Sequence, residues 1–227
     1  MKVLVLNGSP KQKSDTFRMT DAFLKGFNRE GKHEVTIINV IEKQIAPCKG
    51  CFGCWQQLEG HCMIQDDQNG ILDLYRDADV ILWSFPLYCY GMPSHLKALL
   101  DRTIPLVQMK MVQEPDGTVR HVPLADFSRI HTLVISGCGF PDWEGNFDAL
   151  KIQCRNCFGD PTIVCVPETP MLNVPHAAVV ADPLLERFVK AGEEYEASLT
   201  LSQETVAELE HPMIPAEEYI RNVNGDR

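Results

Sequence analysis

Apolar residues fall along the chain in two rhythms. Short unbroken runs rich in β-branched residues occur at 2–6 (KVLVL), 35–40 (VTIINV), 80–85 (VILWSF), 130–136 (IHTLVIS) and 162–166 (TIVCV). Strands covered on both faces read this way, whereas half-exposed strands alternate. Elsewhere apolar residues return every three or four positions: Met19, Ala22, Phe23 and Phe27; Ile71, Leu74 and Tyr75; Leu96, Leu99 and Leu100; and Leu184, Phe188, Ala191, Tyr195 and Leu199. That spacing predicts amphipathic helices, and a further helix is expected over 147–157. Asp67 is the expected cap of the second helix. Asp182-Pro183 is the expected start of the last, because the first helical turn has no use for the N–H that proline lacks. Strand and helix alternate five times, so the fold class is α/β: a doubly wound five-stranded parallel sheet in a three-layer α/β/α arrangement. Ligands of such sheets sit outside the carboxyl ends of the strands, where the strand order reverses.

The 227 residues suit one domain with appendages. That domain is expected over 1–206, with a cysteine-rich loop at 47–64 and a polar excursion at 105–128 that turns as a hairpin at Asp116-Gly117. The tail, 207–227, is expected to wrap the surface or a partner subunit. No apolar run approaches the eighteen or so residues of a membrane span, and Met1 leads straight into a strand pattern without a basic leader. Nine cysteines in such a chain point to reduced thiols, metal ligands or redox groups, so a cytoplasmic location is expected, with no membrane partner. A formal charge of -10 without a basic cluster argues against nucleic acid as a partner.

Four segments carry candidate chemistry. After the first strand, 8–16 (GSPKQKSDT) joins a strand to a helix N-terminus and offers unpaired amides, the hydroxyls of Ser9, Ser14 and Thr16, and the charge of Lys11 or Lys13. This is a phosphate cradle without the Gly-Lys-Ser/Thr ending of a triphosphate loop or the Gly-x-Gly-x-x-Gly of a dinucleotide fold. The bland alternative is a capped hydrophilic turn. After the third strand, Pro86-Leu87-Tyr88-Cys89-Tyr90-Gly91-Met92-Pro93 is unusually aromatic for a loop, with Tyr88 and Tyr90 able to lie against a flat ring and amides near Gly91 free to meet its edge. Packing under the next helix, or a dimer contact, would also account for it. After the fourth strand comes Gly137-Cys138-Gly139, where Cys138 is either a small buried hydrophobe or a ligand contact. The fourth segment, Cys48-x2-Cys51-x2-Cys54-x7-Cys62, can converge on one soft metal centre. The compact spacing suits a [4Fe-4S] cluster better than zinc, and free or disulfide-forming thiols stay open as the alternative. Cys154 and Cys157 share a helix face and read as core.

Asn7-Gly8-Ser9-Pro10-Lys11, the 86–93 run, and Leu96-Lys97 with Asp101-Arg102 resemble the NADPH-dependent FMN reductase and iron-sulfur flavoprotein family of flavodoxin-like proteins. The resemblance implies a flavodoxin-like fold in which Ser9, Lys11, Ser14 and Thr16 hold the FMN phosphate. It places Pro86, Leu87, Tyr88, Tyr90 and Gly91 along the isoalloxazine, with Gly137, Cys138 and Gly139 as a third flavin loop. Relatives often carry Gly-Asn-Thr where this chain has Ser14-Asp15-Thr16, so Asp15 is expected to turn away from the phosphate and cap the helix. The implied activity is an FMN-dependent NAD(P)H oxidoreductase that passes electrons to a quinone, a flavin or another small acceptor. In that activity the flavin carries the chemistry and no side chain need be an acid or base. The alternative is an iron-sulfur flavoprotein electron carrier, whose Cys48, Cys51, Cys54 and Cys62 bind a cluster that exchanges electrons with FMN and a ferredoxin-like partner. A third reading is a non-catalytic flavodoxin-like binding module. A homodimer or homotetramer is expected, with 110–126 or 211–227 supplying contacts.

Overall fold

A computed structural model describes residues 1–11, 13–57 and 59–225. Gln12 of the first loop, Leu58 of the cysteine-rich loop, and Asp226 and Arg227 of the tail lie outside the described residues. The sheet consists of β1 (Lys2–Asn7), β2 (Glu34–Asn39), β3 (Val80–Pro86), β6 (His131–Gly137) and β7 (Thr162–Val166), all parallel in the order β2-β1-β3-β6-β7. The order reverses between β1 and β3, which fixes where a ligand crevice opens. A separate antiparallel hairpin, β4 (Val107–Gln113) and β5 (Val119–Pro123), fills the predicted excursion.

Side chains of the strands alternate between two cores. Val3, Val5, Val80, Leu82, Leu133 and Ile135 face α1 (Asp15–Phe27) and α6 (Ala178–Ser198). Leu4, Leu6, Ile81, Trp83, Phe85 and Val134 face the other layer, made by α3 (Gln68–Asp77), α4 (Ser94–Asp101) and α5 (Asp148–Phe158). β1, β3, β6 and β7 are covered on both faces and so are mostly apolar, which is why they appear in the sequence as runs, whereas the edge strand β2 leaves Glu34 and Ile37 exposed. Each large side chain so buried contributes about 1.5–3 kcal/mol of transfer free energy. Where α1 crosses α6, a Cβ on Gly26 would lie 1.9 Å from the Val189 carbonyl oxygen, and one on Gly192 would lie 2.0 Å from that of Phe23. Only hydrogen fits at either point.

Several expectations change at helix ends. α6 begins at Ala178, with Pro183 inside it and not at its first position. The hydrogen bond that Pro183 cannot make falls on the turn at Val179, which is 80% exposed, so water can serve it. Asp67 makes no cap bond, because its carboxylate instead accepts the Gln44 amide at 2.7 Å. The buried face of α3 is Ile71 and Leu72, with Leu74 exposed. Cys154 is core as expected, whereas Cys157 is exposed. The last segment is helical: α7 (Gln203–Glu210) packs on β7 and spans position 206, and α8 (Ala216–Asn224) follows. Among the described residues no helix is long and apolar enough to cross a membrane.

Candidate functional site

Three loops meet at the carboxyl ends of β1, β3 and β6, and hydrogen bonds tie them together. Gly8 N–H donates to Ser84 O at 2.8 Å, and Leu87 N–H to Gly137 O at 2.8 Å. His95, in the first turn of α4, donates from Nε2 to Gly8 O at 2.8 Å. Asn7 shapes the first loop from within, accepting the Ser9 amide at 3.1 Å while its Nδ2 donates to Asn39 Oδ1 at 3.0 Å.

Ser9, Ser14 and Thr16 are buried around the N-terminus of α1. Ser14, not Asp15, is the cap: its Oγ accepts the Phe17 amide at 2.9 Å. The Asp15 and Thr16 amides, first in the helix, donate to no described residue and face the positive end of the helix dipole. Asp15 is turned aside as expected, its carboxylate accepting from Asn173 Nδ2 and, at 3.0 Å, from Lys11 Nζ. The start of α1 thus presents two unpartnered amides beside the Ser9, Ser14 and Thr16 hydroxyls, with the Lys11 ammonium held by Asp15.

The second loop is a tight turn. Tyr88 and Gly91 exchange both backbone hydrogen bonds at 3.0 Å, and between them Cys89 and Tyr90 lie in left-handed backbone at φ 48° and 63°. Non-glycine residues adopt that region at a cost of about 1–3 kcal/mol. The Gly91 amide is thus consumed, and of the turn's amides those of Cys89 and Tyr90 have no hydrogen-bond partner among the described residues. Tyr88 and Tyr90 are exposed, and the Tyr90 ring runs parallel to Phe140, centroids 6.5 Å apart and planes within 10°. Two flat apolar faces stand at the mouth of the crevice, one of them from a residue the sequence reading passed over.

In the third loop Cys138 offers no free group. Its amide donates to Val166 O, its carbonyl accepts from the Thr169 amide and hydroxyl, and its thiol points at the carbonyls of Phe140 and Asp142. Burial pushes that thiol up to about 11, so it is an inert side chain. Tyr219 of α8 donates to Gly139 O at 2.9 Å and clamps the loop from outside. Glu168, buried and in left-handed backbone, accepts the Met213 and Ile214 amides and holds the start of the same C-terminal segment. Burial raises its pKa.

The cysteine loop emerges on the same edge, after β2. Its entry and exit are pinned together: Asp67 holds the Gln44 amide and Asp66 the Ala46 amide at 2.9 Å. Asn69 grips the backbone of Cys62 on both sides, at 2.8 and 3.1 Å, and Trp55 Nε1 donates to Val107 O of the hairpin. Cys48, Cys51, Cys54 and Cys62 line one small cavity together with Met63 and Arg102. Among the described residues no three His, Cys, Asp or Glu side chains are gathered closely enough for a single metal ion. Burial, then repulsion from Cys62, raises the Cys54 pKa.

Arg102 is buried beside this cavity. Its Nη1 donates to Ala46 O at 3.0 Å and Asp66 Oδ2 at 2.5 Å, and its Nη2 to Ile64 O at 3.2 Å and Asp66 Oδ1 at 2.9 Å. Nε is buried without a hydrogen-bond partner; a buried unpaired N–H costs about 1–3 kcal/mol. Burial works against the Arg102 charge, and the hydrogen-bonded Asp66 together with the nearby Cys62 more than offsets it, raising its pKa. Burial likewise opposes the Asp66 charge, but Arg102 and the amides of Ala46 and Gln68 hold that carboxyl below its usual range.

Comparison with known proteins agrees with this geometry. A family model described as a flavodoxin-like fold matches residues 1–147. An iron-sulfur flavoprotein of Methanocaldococcus jannaschii is 37% identical over 106 residues, which cover 47% of this chain and 53% of that protein. Another, of Methanosarcina thermophila, is 33% identical over 104 residues, covering 46% and 53%. The chain spans about half the length of the curated relatives it matches. Among solved structures, an FMN-dependent NADH-azoreductase from Bacillus anthracis in complex with FMN superimposes with a TM-score of 0.61 at 20% identity, over 87% of this chain and 98% of that one.

Proposed function

The chain belongs to the family of the flavodoxin-like fold, and from that premise we propose that it is an FMN-dependent oxidoreductase. The observation that carries the reading is the junction of the three loops: buried hydroxyls and free amides at the start of α1 lie on the same sheet edge as the Tyr90 turn and Phe140. Ser9, Ser14, Thr16 and Lys11 would hold the phosphate, and the Cys89 and Tyr90 amides would meet the ring edge. Bound FMN supplies hydride acceptance from NAD(P)H and electron release to a quinone, flavin or other small acceptor. Tyr90 and Phe140 limit what can stack at the mouth to planar groups, so nicotinamide and acceptor use the opening in turn.

The four-cysteine cavity favours a second element in the same protein, a [4Fe-4S] cluster held by Cys48, Cys51, Cys54 and Cys62 that exchanges single electrons with a ferredoxin-like partner. The exposed Met109, Met111 and Val119 of the hairpin support assembly into a homodimer or homotetramer, which light scattering tests. For the flavin, the test is titration of purified protein with FMN, read by fluorescence quenching, followed by steady-state NADPH and NADH oxidation. Saturable binding with ping-pong kinetics is expected. A protein that binds no FMN, or that follows a sequential mechanism, overturns the flavin assignment or the shared opening respectively.

A further inference from the structure

Arg102 is placed to act on the four-cysteine centre and not only to hold the loop. The guanidinium presents five N–H groups, and those on Nη1 and Nη2 are spent on the Ala46 and Ile64 carbonyls and on both oxygens of Asp66. Because Asp66 is met end-on by the two Nη atoms, Nε lies on the side away from that carboxylate. Nε is the one buried nitrogen of the group without a partner, and Arg102 shares its cavity with all four cysteines. Lys49 also lines the cavity but is exposed, so water and salt screen its charge. The side chain of Arg102 has no exposed surface. Among the described residues of the cavity wall, Arg102 is therefore the one cation whose field solvent does not damp.

On the reading that these cysteines hold an iron-sulfur cluster, we propose that Arg102 is a positioning residue for it. Its Nε–H donates to a sulfur of the centre, and its fixed positive charge makes the cluster easier to reduce. Reduction adds one electron to a site that already carries four thiolates, and a buried cation offsets that added charge. Hydrogen bonds to the sulfurs and net charge are the levers by which a protein sets such potentials.

The test is an anaerobic redox titration of the full chain after reconstitution with iron and sulfide, followed by electron paramagnetic resonance, with iron and acid-labile sulfide measured alongside. Arg102→Lys keeps the charge and loses the fixed Nε–H. Because Arg102→Met alone leaves Asp66 buried without its partner, the second variant is Asp66→Asn/Arg102→Met, which removes the ion pair as a unit. In the double variant the reduced-to-oxidised ratio at the wild-type midpoint is expected to fall at least tenfold, a shift of about 59 mV to lower potential for one electron. Arg102→Lys should fall between it and wild type. FMN affinity should not change in either. A cluster that assembles in the double variant at the wild-type potential overturns the role of Arg102 while leaving the cluster in place. Wild-type protein that takes up no iron and sulfide overturns the cluster reading, and the role with it.

Discussion

Gly137, the last residue of β6, supports the third loop by having no side chain. A Cβ placed there would lie 2.4 Å from Thr169 Cγ2, 2.9 Å from its Oγ1 and 3.1 Å from its Cβ, against ordinary carbon contacts of about 3.5–4.0 Å. Thr169 cannot swing away cheaply. It is 4% exposed, its amide donates to Cys138 O at 2.9 Å, and its hydroxyl donates to the same oxygen at 3.1 Å. Nor can β6 shift, since Gly137 is in register with Pro86 of β3 and Val166 of β7. Gly137→Ala therefore overpacks the site by about 1–3 kcal/mol and loses the hydroxyl's hydrogen bond for about 1 more, a total of about 2–4 kcal/mol. In urea this lowers the midpoint by about 1 M with an unchanged slope, and displacement of the loop weakens FMN binding about tenfold. Thr169→Ser removes the methyl that clashes first, so the double variant should regain at least about 1 kcal/mol over the sum of the singles. A Gly137→Ala protein within about 0.5 kcal/mol of wild type, or strict additivity with Thr169→Ser, would refute this account of the loop.

Asp66→Ala leaves the fully buried Arg102 charge unpaired and orphans the Ala46 and Gln68 amides, so a loss of about 3–5 kcal/mol is expected in chemical denaturation; a loss below about 1 kcal/mol would show that water reaches the guanidinium. Asp15→Asn removes a negative charge next to the phosphate cradle and releases Lys11. FMN should bind several-fold more tightly, by about 1 kcal/mol, with a small fall in stability as α1 loses its first-turn acid; unchanged affinity in a fluorescence titration counts against a phosphate there. Burial raises the Glu168 pKa above 4.5, so the native chain holds that proton more tightly than the unfolded one. The resulting stabilisation is complete below the ordinary carboxylate range and is lost as pH climbs through the raised native value. Glu168→Gln should flatten this part of the fall in stability with rising pH, as measured by urea midpoints across pH 4 to about 7; an unchanged slope would exclude Glu168 as its source.

The five strands and the faces of α1, α4 and α6 were legible because two-sided burial demands unbroken apolar runs and one-sided burial demands a helical period. Helix starts were less legible. Asp67 and Asp182 carry the chemistry of caps, but tertiary partners claimed the first and α6 ran back past the second. In the candidate site, local segments were readable and the contacts between them were not. Arg102 looks like a surface helix-end residue until Asp66, 36 positions earlier, meets it in the interior. His95 and Phe140 likewise matter only because distant loops arrive beside them. Glu168 gives no sequence signal, since its left-handed backbone and its grip on 213–214 exist only once α8 has docked.

α4 connects the two halves of this chemistry. Its first turn holds the phosphate loop, through the His95 bond to Gly8 O, and the residue after its last turn holds the cysteine loop, through Arg102. The eight residues of α4 rise about 12 Å, and Leu96, Leu99 and Leu100 bury one face of it against the sheet, so its two ends cannot move independently. The Gln68 side chain adds a second lock, donating to the carbonyls of Leu99 and Arg102 at 3.2 and 3.0 Å. A flexible connection would let each loop adjust to its own ligand. A helix anchored at both ends instead holds the loop after β1 and the cysteine loop at one separation, as the proposed electron exchange between a flavin and a cluster would require.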